Sequence, residues 1–281
     1  MGYSIKISGK TDKGMKRSKN EDCMLIDEDL GLMIVADGMG GHASGEVASQ
    51  LATSISSEQL KRSLQTGHVP VFFHVPKNPQ LDPRTIILGD CIKLANSVVN
   101  EAAQKTAENH NMGTTIVVAL CLENKLSIGH VGDSRLYVIR QGKKIKQITV
   151  DHSFVQEQVD KGLLKAEDAE KSDMRNMLTR SVGISADVDV DLNEIELSQG
   201  DYILLCSDGL SKMLDDTQIE NVFYTKTEPQ EIVDQLIDLA NQSGGLDNVT
   251  AIVGLIKEES SAWGNLTERL KKILRSKPKR N

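Results

Sequence analysis

At 281 residues the chain can bury one large core or two smaller ones, and with no Pro/Gly/Ser-rich linker inside it, one domain plus a short tail is the economical reading. Charged residues make up 26% and the aliphatic residues come in segregated runs, which excludes a disordered chain, while aromatics at 3% argue against a surface that stacks nucleic-acid bases. The net charge of -7 hides a split: residues 266–281 carry seven Lys or Arg against Glu268, a tail of +6 that leaves -13 on the body. Such a body disfavours nonspecific DNA binding, and its excess acid fits either carboxylates gathered around metal or an ordinary acidic surface.

The four cysteines, Cys23, Cys91, Cys121 and Cys206, are widely spaced and read as buried thiols of a reducing compartment, with neither zinc nor disulfide spacing. No signal-peptide pattern is evident, and no apolar run approaches the ~20 residues of a spanning helix, so the expected location is the cytoplasm.

In chain order, Tyr3 to Ser8 alternates as a first strand, followed by the polar segment GMKRSKNED. CMLIDED reads as a strand that a turn at residues 29–31 folds back onto the apolar run Leu32 to Val35, a hairpin that brings Arg17, Glu21 and Asp22 near Asp37. Three glycines in four positions follow Asp37, and a helix beginning near His42 repeats Val47, Leu51 and Ile55. Residues 67–83 hold four of the six prolines and read as a loop whose Val71, Phe72 and Phe73 pack onto the body. A long helix is expected over 84–109, with Ile87, Cys91, Leu94, Val98 and Ala102 on its apolar face.

The runs TTIVVALCL, KLSIGHVGD, RLYVIR and KIKQITV, joined by short polar turns, predict an antiparallel meander. Residues 151–183 are polar and helical in patches, a peripheral flap. Strands near 188–197 and 202–206 precede helices over 216–222 and 229–242, the second with Pro229 in its first turn and Ile232, Leu236 and Ala240 along a face. Asp247 then stands ahead of a last apolar strand. His130 reads as a satisfied core histidine, His152 as a structural hydrogen-bonding residue, and Met15, Met24 and Met33 as core filler.

Four times, at Asp37, Asp133, Asp208 and Asp247, an aspartate ends or precedes an apolar strand with a glycine within three residues. Any one is a turn; four together, with no Cys/His cluster, suit Mg²⁺ or Mn²⁺ rather than Zn²⁺. Gathered in a dry site these acids would repel one another, a cost that divalent cations remove. Two ions about 3.5–4 Å apart generate hydroxide for in-line attack, and Arg17 offers the bidentate fork that grips a phosphate. The residues by themselves thus point to metal-assisted phosphoester hydrolysis.

The ordered set RSKNED (17–22), DGMGGHASGE (37–46), GTT (113–115), GHVGDSR (129–135), DHS (151–153), LTRSVG (178–183), SDGL (207–210) and DNVT (247–250) closely resembles the bacterial branch of the type-2C metal-dependent protein phosphatases, the PPM family. The resemblance runs from about residue 9 to 256; it leaves out the basic tail and does not account for the Pro-rich loop. It implies an α+β fold: a four-layer αββα sandwich of two antiparallel sheets flanked by helix pairs, with a small flap, over residues 1–256. It further implies that Asp37 bridges two Mn²⁺ or Mg²⁺ ions, one of which also takes the Gly38 carbonyl. Asp208 and Asp247 would hold the other ion, Glu21 and Asp22 would act partly through water, and Arg17 would hold the substrate phosphate. Asp133, shared with Asp208, would serve a third, weaker ion beside the flap.

One position departs from many eukaryotic members, which carry a histidine directly after Asp-Gly where this chain has Met39. His42 is the nearest substitute. Its two readings, a general acid for the leaving alkoxide and a cap of the following helix, stay open here.

The resulting expectation is a cytoplasmic, monomeric serine/threonine phosphoprotein phosphatase that opposes a Ser/Thr kinase, uses direct attack by metal-activated hydroxide, and forms no phosphoenzyme. Its rivals are a non-catalytic phosphoprotein-binding relative and a metallohydrolase of small phosphoesters. In the tail, 257–281, Leu266, Leu270, Ile273 and Leu274 share one helical face among basic residues, a pattern for an anionic membrane, an acidic partner or a solvated terminus.

Overall fold

The structure, a computed structural model, describes residues 3–40, 44–67, 80–105, 112–140, 142, 144–169 and 172–258. Two antiparallel sheets lie face to face. The first runs β1 (Tyr3–Asp12), β11 (Val249–Glu258), β10 (Tyr202–Cys206), β7 (Arg135–Ile139) and β8 (Lys146–Gln147). The second runs β2 (Asp22–Asp27), β3 (Leu32–Met39), β5 (Ile116–Leu122), β6 (Lys125–Val131) and β9 (Asp191–Glu196), with the short β4 (Gly113–Thr114) on the end of β3.

Side chains alternate across each strand, so a strand covered on both faces must be apolar at every position. In β3, Met33 and Val35 meet Leu136, Val138, Ile203, Leu205 and Ile252 between the sheets, while Leu32, Ile34 and Ala36 point to the outer side. There they are covered by α1 (Ser44–Thr66) and α2 (Pro83–Lys105). The opposite outer face, with Tyr137, Leu204, Val249, Ala251 and Val253, is covered by α5 (Asp208–Ser211), α6 (Asp216–Thr225) and α7 (Pro229–Gln242). This is the four-layer αββα sandwich. The last helix has the expected bounds and buries Ile232, Leu236 and Ala240 as the periodicity requires.

The helix pair on the second sheet corrects the expected stripes. Val47 is 39% exposed, and α1 instead buries Ala48, Ser49, Ala52, Thr53, Ser56, Ser57 and Leu60. Small and hydroxyl residues on the buried face let the helix lie close to its neighbours, and Ser49 Oγ donates to the Glu21 carbonyl at 2.6 Å, while Thr53 Oγ1 and Ser56 Oγ are buried without a hydrogen-bond partner. In α2 the buried face is centred one position on, at Leu88, Ile92, Ala95 and Val99, with Cys91 the one member of the expected stripe that is fully covered. Two buried asparagines on that face tie α2 to the chain after the flap: Asn96 Nδ2 donates to the carbonyls of Ser185 (3.0 Å) and Ala186 (3.2 Å), its Oδ1 accepts from Gly183 N–H (2.7 Å), and Asn100 Nδ2 donates to Gly183 O (2.9 Å).

The meander is also corrected. β5 and β6 form a hairpin, but β6 then pairs with β9, while β7 pairs with β10 and β8. Between them, at residues 132–134, the chain leaves one sheet for the other through a turn in which Gly132 has φ +110°. Alternation within each run does not reveal this, because a sheet change and a hairpin have the same local pattern. Among the described residues of 151–183 the helices are α3 (Phe154–Asp160) and α4 (Ala166–Ala169), and most positions are exposed or half-buried. Residues 68–79 and 259–281, with Val71, Phe72, Phe73 and the basic tail, lie outside the described residues, as do 106–111 at the expected end of α2.

The Asn96 network yields a test. Asn96→Ala leaves Gly183 N–H and two carbonyls without partners and is expected to cost about 1–3 kcal/mol in urea unfolding; a loss below about 0.5 kcal/mol, the range of a neutral surface change, would remove the network from the account.

Candidate metal centre

Strand register gathers the acids at one end of the sandwich. Asp22 opens β2 directly opposite Asp37 near the end of β3, Ile116 opens β5 opposite Val131 at the end of β6, and Cys206 at the end of β10 lies opposite both Arg135 and Ala251. At the same end Asp133 lies on the turn after β6, Asp208 opens α5 after β10, and Asp247 lies on the loop before β11.

Asp22 joins the two sheets. Its Oδ2 accepts from Ser207 Oγ (2.7 Å) and Thr250 Oγ1 (2.6 Å), both on the opposite sheet's strand ends, while Oδ1 is buried with no hydrogen-bond partner. Burial, offset in part by those hydroxyls and reinforced by Asp208 and Asp247, pushes its carboxyl up to about 7. Asp37 is held through its backbone: its N–H donates to Thr115 Oγ1 (3.0 Å) and its carbonyl accepts from Thr115 N–H (2.9 Å) and Thr114 Oγ1 (2.9 Å). Thr115 Oγ1 in turn pairs with Ser134 Oγ at 2.7 Å, which links Asp37 to the turn that carries Asp133. Burial first, then the facing Asp22, Asp208 and Asp133, hold the Asp37 carboxyl well above the usual range.

Two close backbone approaches shape the site. A Cβ on Gly38 would overlap the Gly45 carbonyl and press within 2.6 Å of the Glu21 carbonyl, so only glycine lets α1 start against the end of β3. A Cβ on Gly209 would overlap the Asn248 carbonyl; without one, the first turn of α5 reaches the Asp247 loop. Asn248 locks that loop, accepting from Glu21 N–H (2.8 Å) and donating to the carbonyls of Lys13 (2.9 Å) and Lys19 (2.8 Å).

Two cations enter this acidic end. Arg17, 53% exposed, bonds Asp247 Oδ2 at 2.7 Å. Lys212, four residues after Asp208, bonds Asp208 Oδ2 and stands 3.8 Å from Asp133 Oδ2. Asp208 Oδ1 is buried without a hydrogen-bond partner. Burial and then Asp208 push Asp133 up to about 7, against the pull of Lys212. Glu21 is raised chiefly by burial.

The structure therefore brings together Arg17, Glu21, Asp22, Asp37, Gly38, Asp133, Asp208 and Asp247. Among the described residues no three His, Cys, Asp or Glu side chains already stand in an arrangement that would hold a metal ion. Nevertheless the donors are all oxygen, two carboxylate oxygens are buried and bare, and raised carboxyls surround them, which is the chemistry a hard divalent cation satisfies. His42 falls in residues 41–43, outside the described residues.

Other readings change. His130 is buried, but neither ring nitrogen has a hydrogen-bond partner; burial and then the neighbouring His152, tilted against it at 4.5 Å between centroids, lower it to about 3, so it sits neutral in the core. His152 does hold structure: its Nδ1 accepts from Gly132 N–H (3.0 Å) and its N–H donates to Gly132 O (2.8 Å), clamping the sheet-changing turn. Met15 is 67% exposed rather than core filler, and Cys23 is only half-buried. The supporting residues Ser207, Thr250, Thr115, Ser134 and Asn248, and above all Lys212, had no role in the sequence reading; the first five stand within or beside motifs already singled out, and Lys212 is one helical turn from Asp208.

A two-sheet sandwich whose strand ends gather aspartates beside an arginine is the layout of a metal-dependent phosphatase. The family model described as Protein phosphatase 2C matches residues 16–250, and the chain belongs to that family. It is 33% identical over 250 residues, covering 87% of this chain and 93% of the relative, to the serine/threonine phosphatase stp of Listeria monocytogenes. Among solved structures it is similar to the serine/threonine phosphatase PstP/Ppp of Mycobacterium tuberculosis, with 33% identity, TM-score 0.78 and 91% and 100% of the two chains covered. A second structure, the catalytic domain of PstP in complex with 2 manganese ions, gives 33% identity, TM-score 0.77 and the same coverage.

Raised carboxyls carry a stability consequence. For Asp22 and Asp133 the folded chain keeps a proton that the unfolded chain has already lost between about pH 4 and 7, so their contribution is full below the unfolded value and disappears as pH rises through about 7. In EDTA the Tm is expected to fall from pH 6 to pH 8, and added Mn²⁺ to cancel most of the fall; a chelated protein whose Tm rises over that interval contradicts the assignment.

Proposed function

We propose that Asp37, the Gly38 carbonyl, Asp208 and Asp247 hold two divalent ions, that Glu21 and Asp22 act on them through water, that Asp133 with Asp208 offers a third, weaker position, and that Arg17 grips the substrate phosphate. The chain is a metal-dependent protein-serine/threonine phosphatase, a phosphoric monoester hydrolase using manganese or magnesium. One observation supports the residue assignment most: carboxyls from both sheets converge, Asp22 and Asp133 buried and Asp37, Asp208 and Asp247 partly so, with Asp22 Oδ1 and Asp208 Oδ1 bare.

Ions held by these residues would supply Lewis acidity toward a phosphoryl oxygen and a lowered pKa for bound water. The chain's own residues set the stage. Ser207 and Thr250 fix one oxygen of Asp22 and leave the other for the site. Arg17 is partly exposed and its ion pair with Asp247 is of the kind worth about 0–1 kcal/mol, so its guanidinium can exchange that partner for a phosphoryl group at small cost. Cys206, one residue before Ser207, is no rival nucleophile: burial pushes its thiol up to about 12. His42 has two roles to be separated, proton donor to the departing serine or threonine oxygen and cap of α1. A His42→Ala variant that keeps both its turnover and the acid limb of its pH profile assigns it to the cap.

The same reading places the enzyme in the cytoplasm as a monomer, opposing a Ser/Thr kinase on phosphorylated proteins, with residues 151–183 as a flap beside Asp133. No helix among the described residues is long and apolar enough to cross a membrane.

The test compares a phosphothreonine peptide with p-nitrophenyl phosphate. EDTA is expected to abolish turnover and Mn²⁺ to restore it, with the peptide the better substrate; Asp208→Asn should lower kcat about 100-fold or more. Activity that survives chelation, or a covalent phosphoenzyme, would overturn the mechanism.

A further inference from the structure

The position of Lys212 divides the two oxygens of Asp208. Oδ1 is buried and bare, available to the central ions, whereas Oδ2 is bonded by the Lys212 ammonium. The same ammonium lies 3.8 Å from Asp133 Oδ2, so it stands between the two carboxylates that would share a third ion. The lysine is carried there by backbone geometry. Lys212 caps α5, its N–H bonded to the Asp208 carbonyl at 2.8 Å, and the i, i+4 spacing on a one-turn helix stacks its side chain over that of Asp208.

Resting on the metal assignment proposed above, we propose that Lys212 is a tethered cation occupying the place between Asp208 and Asp133, and that it competes with a divalent ion for that place. The chain then holds two central ions tightly and admits a third only when the ammonium is displaced. An ammonium within bonding distance of one oxygen and 3.8 Å of the other neutralises part of the charge that would attract the ion and takes one of its ligand oxygens. The side chain is 33% exposed, so it has a solvent-side route along which to swing away. Lys212 thereby becomes a determinant of metal stoichiometry, acting through the acids without touching substrate.

The experiment counts ions directly. Metal-free wild type, Lys212→Met, Lys212→Gln, Asp133→Asn and the Lys212→Met/Asp133→Asn double variant are titrated with MnCl₂ by calorimetry, with free Mn²⁺ followed by electron paramagnetic resonance; circular dichroism checks that each is folded. Wild type is expected to bind two ions tightly and a third weakly. Both neutral variants should tighten the third by about tenfold or more without changing the first two, and the double variant should lose the gain because the ligand is gone. If the third affinity stays within about twofold of wild type in both folded neutral variants while the first two ions bind normally, Lys212 is a structural ion pair and the proposal fails. Failure of the underlying metal assignment looks different: wild type itself would then bind no tight pair of ions.

Discussion

The structure depends on an electrostatic constraint, the crowding of several carboxyl groups into a nearly dry end of a β-sandwich. Asp22, Asp37, Asp133 and Asp208 each come from a different strand end, and the first three hold protons more tightly than free carboxyls because they are buried and face one another. Such an arrangement is costly without compensation. The chain supplies some from its own cations, Arg17 on Asp247 and Lys212 on Asp208, and some from hydroxyls, Ser207 and Thr250 on Asp22. The remaining demand, at bare buried oxygens, is the part that divalent ions meet.

The rest of the fold can be understood as scaffolding for this convergence. Two sheets are needed because the acids approach from both: Asp22 and Asp37 pair within one, Asp208 and Asp247 flank strands of the other, and Asp133 sits on the turn where the chain passes between them. Hydrogen bonds donated to Asp22 by Ser207 and Thr250 of the facing sheet, and the pair between Thr115 and Ser134, fasten the two layers at the point where carboxylate repulsion would spread them. The His152 clamp on Gly132 does the same for the turn. Glycines at 38 and 209 permit backbone contacts that no side chain would allow, which is why helices begin immediately beside the acids.

Much of this was legible in the sequence where chemistry leaves a local mark. Strand-ending aspartates beside glycines announced the acids, alternating and continuous apolar runs announced the strands, and Pro229 with its apolar face announced α7 at its observed bounds. What escaped was set by tertiary packing. The turn at residues 132–134 is locally indistinguishable from a hairpin, so the change of sheet did not register. The buried face of α1, made of Ala, Ser and Thr, carries no strong apolar signal, and Val47 drew attention to the wrong side. Lys212 carries no local mark; only the folded spacing from Asp208, with Asp133 across from it, gives it a role.

The central claim is that these dispersed acids converge in order to hold divalent ions. Crystals grown with MnCl₂, with anomalous scattering recorded at the manganese edge, examine it most directly. The account predicts two strong anomalous peaks enclosed by Asp37, Asp208 and Asp247, with Arg17 released from Asp247. Carboxylates pointing apart, and no peak among them at saturating manganese, would contradict it.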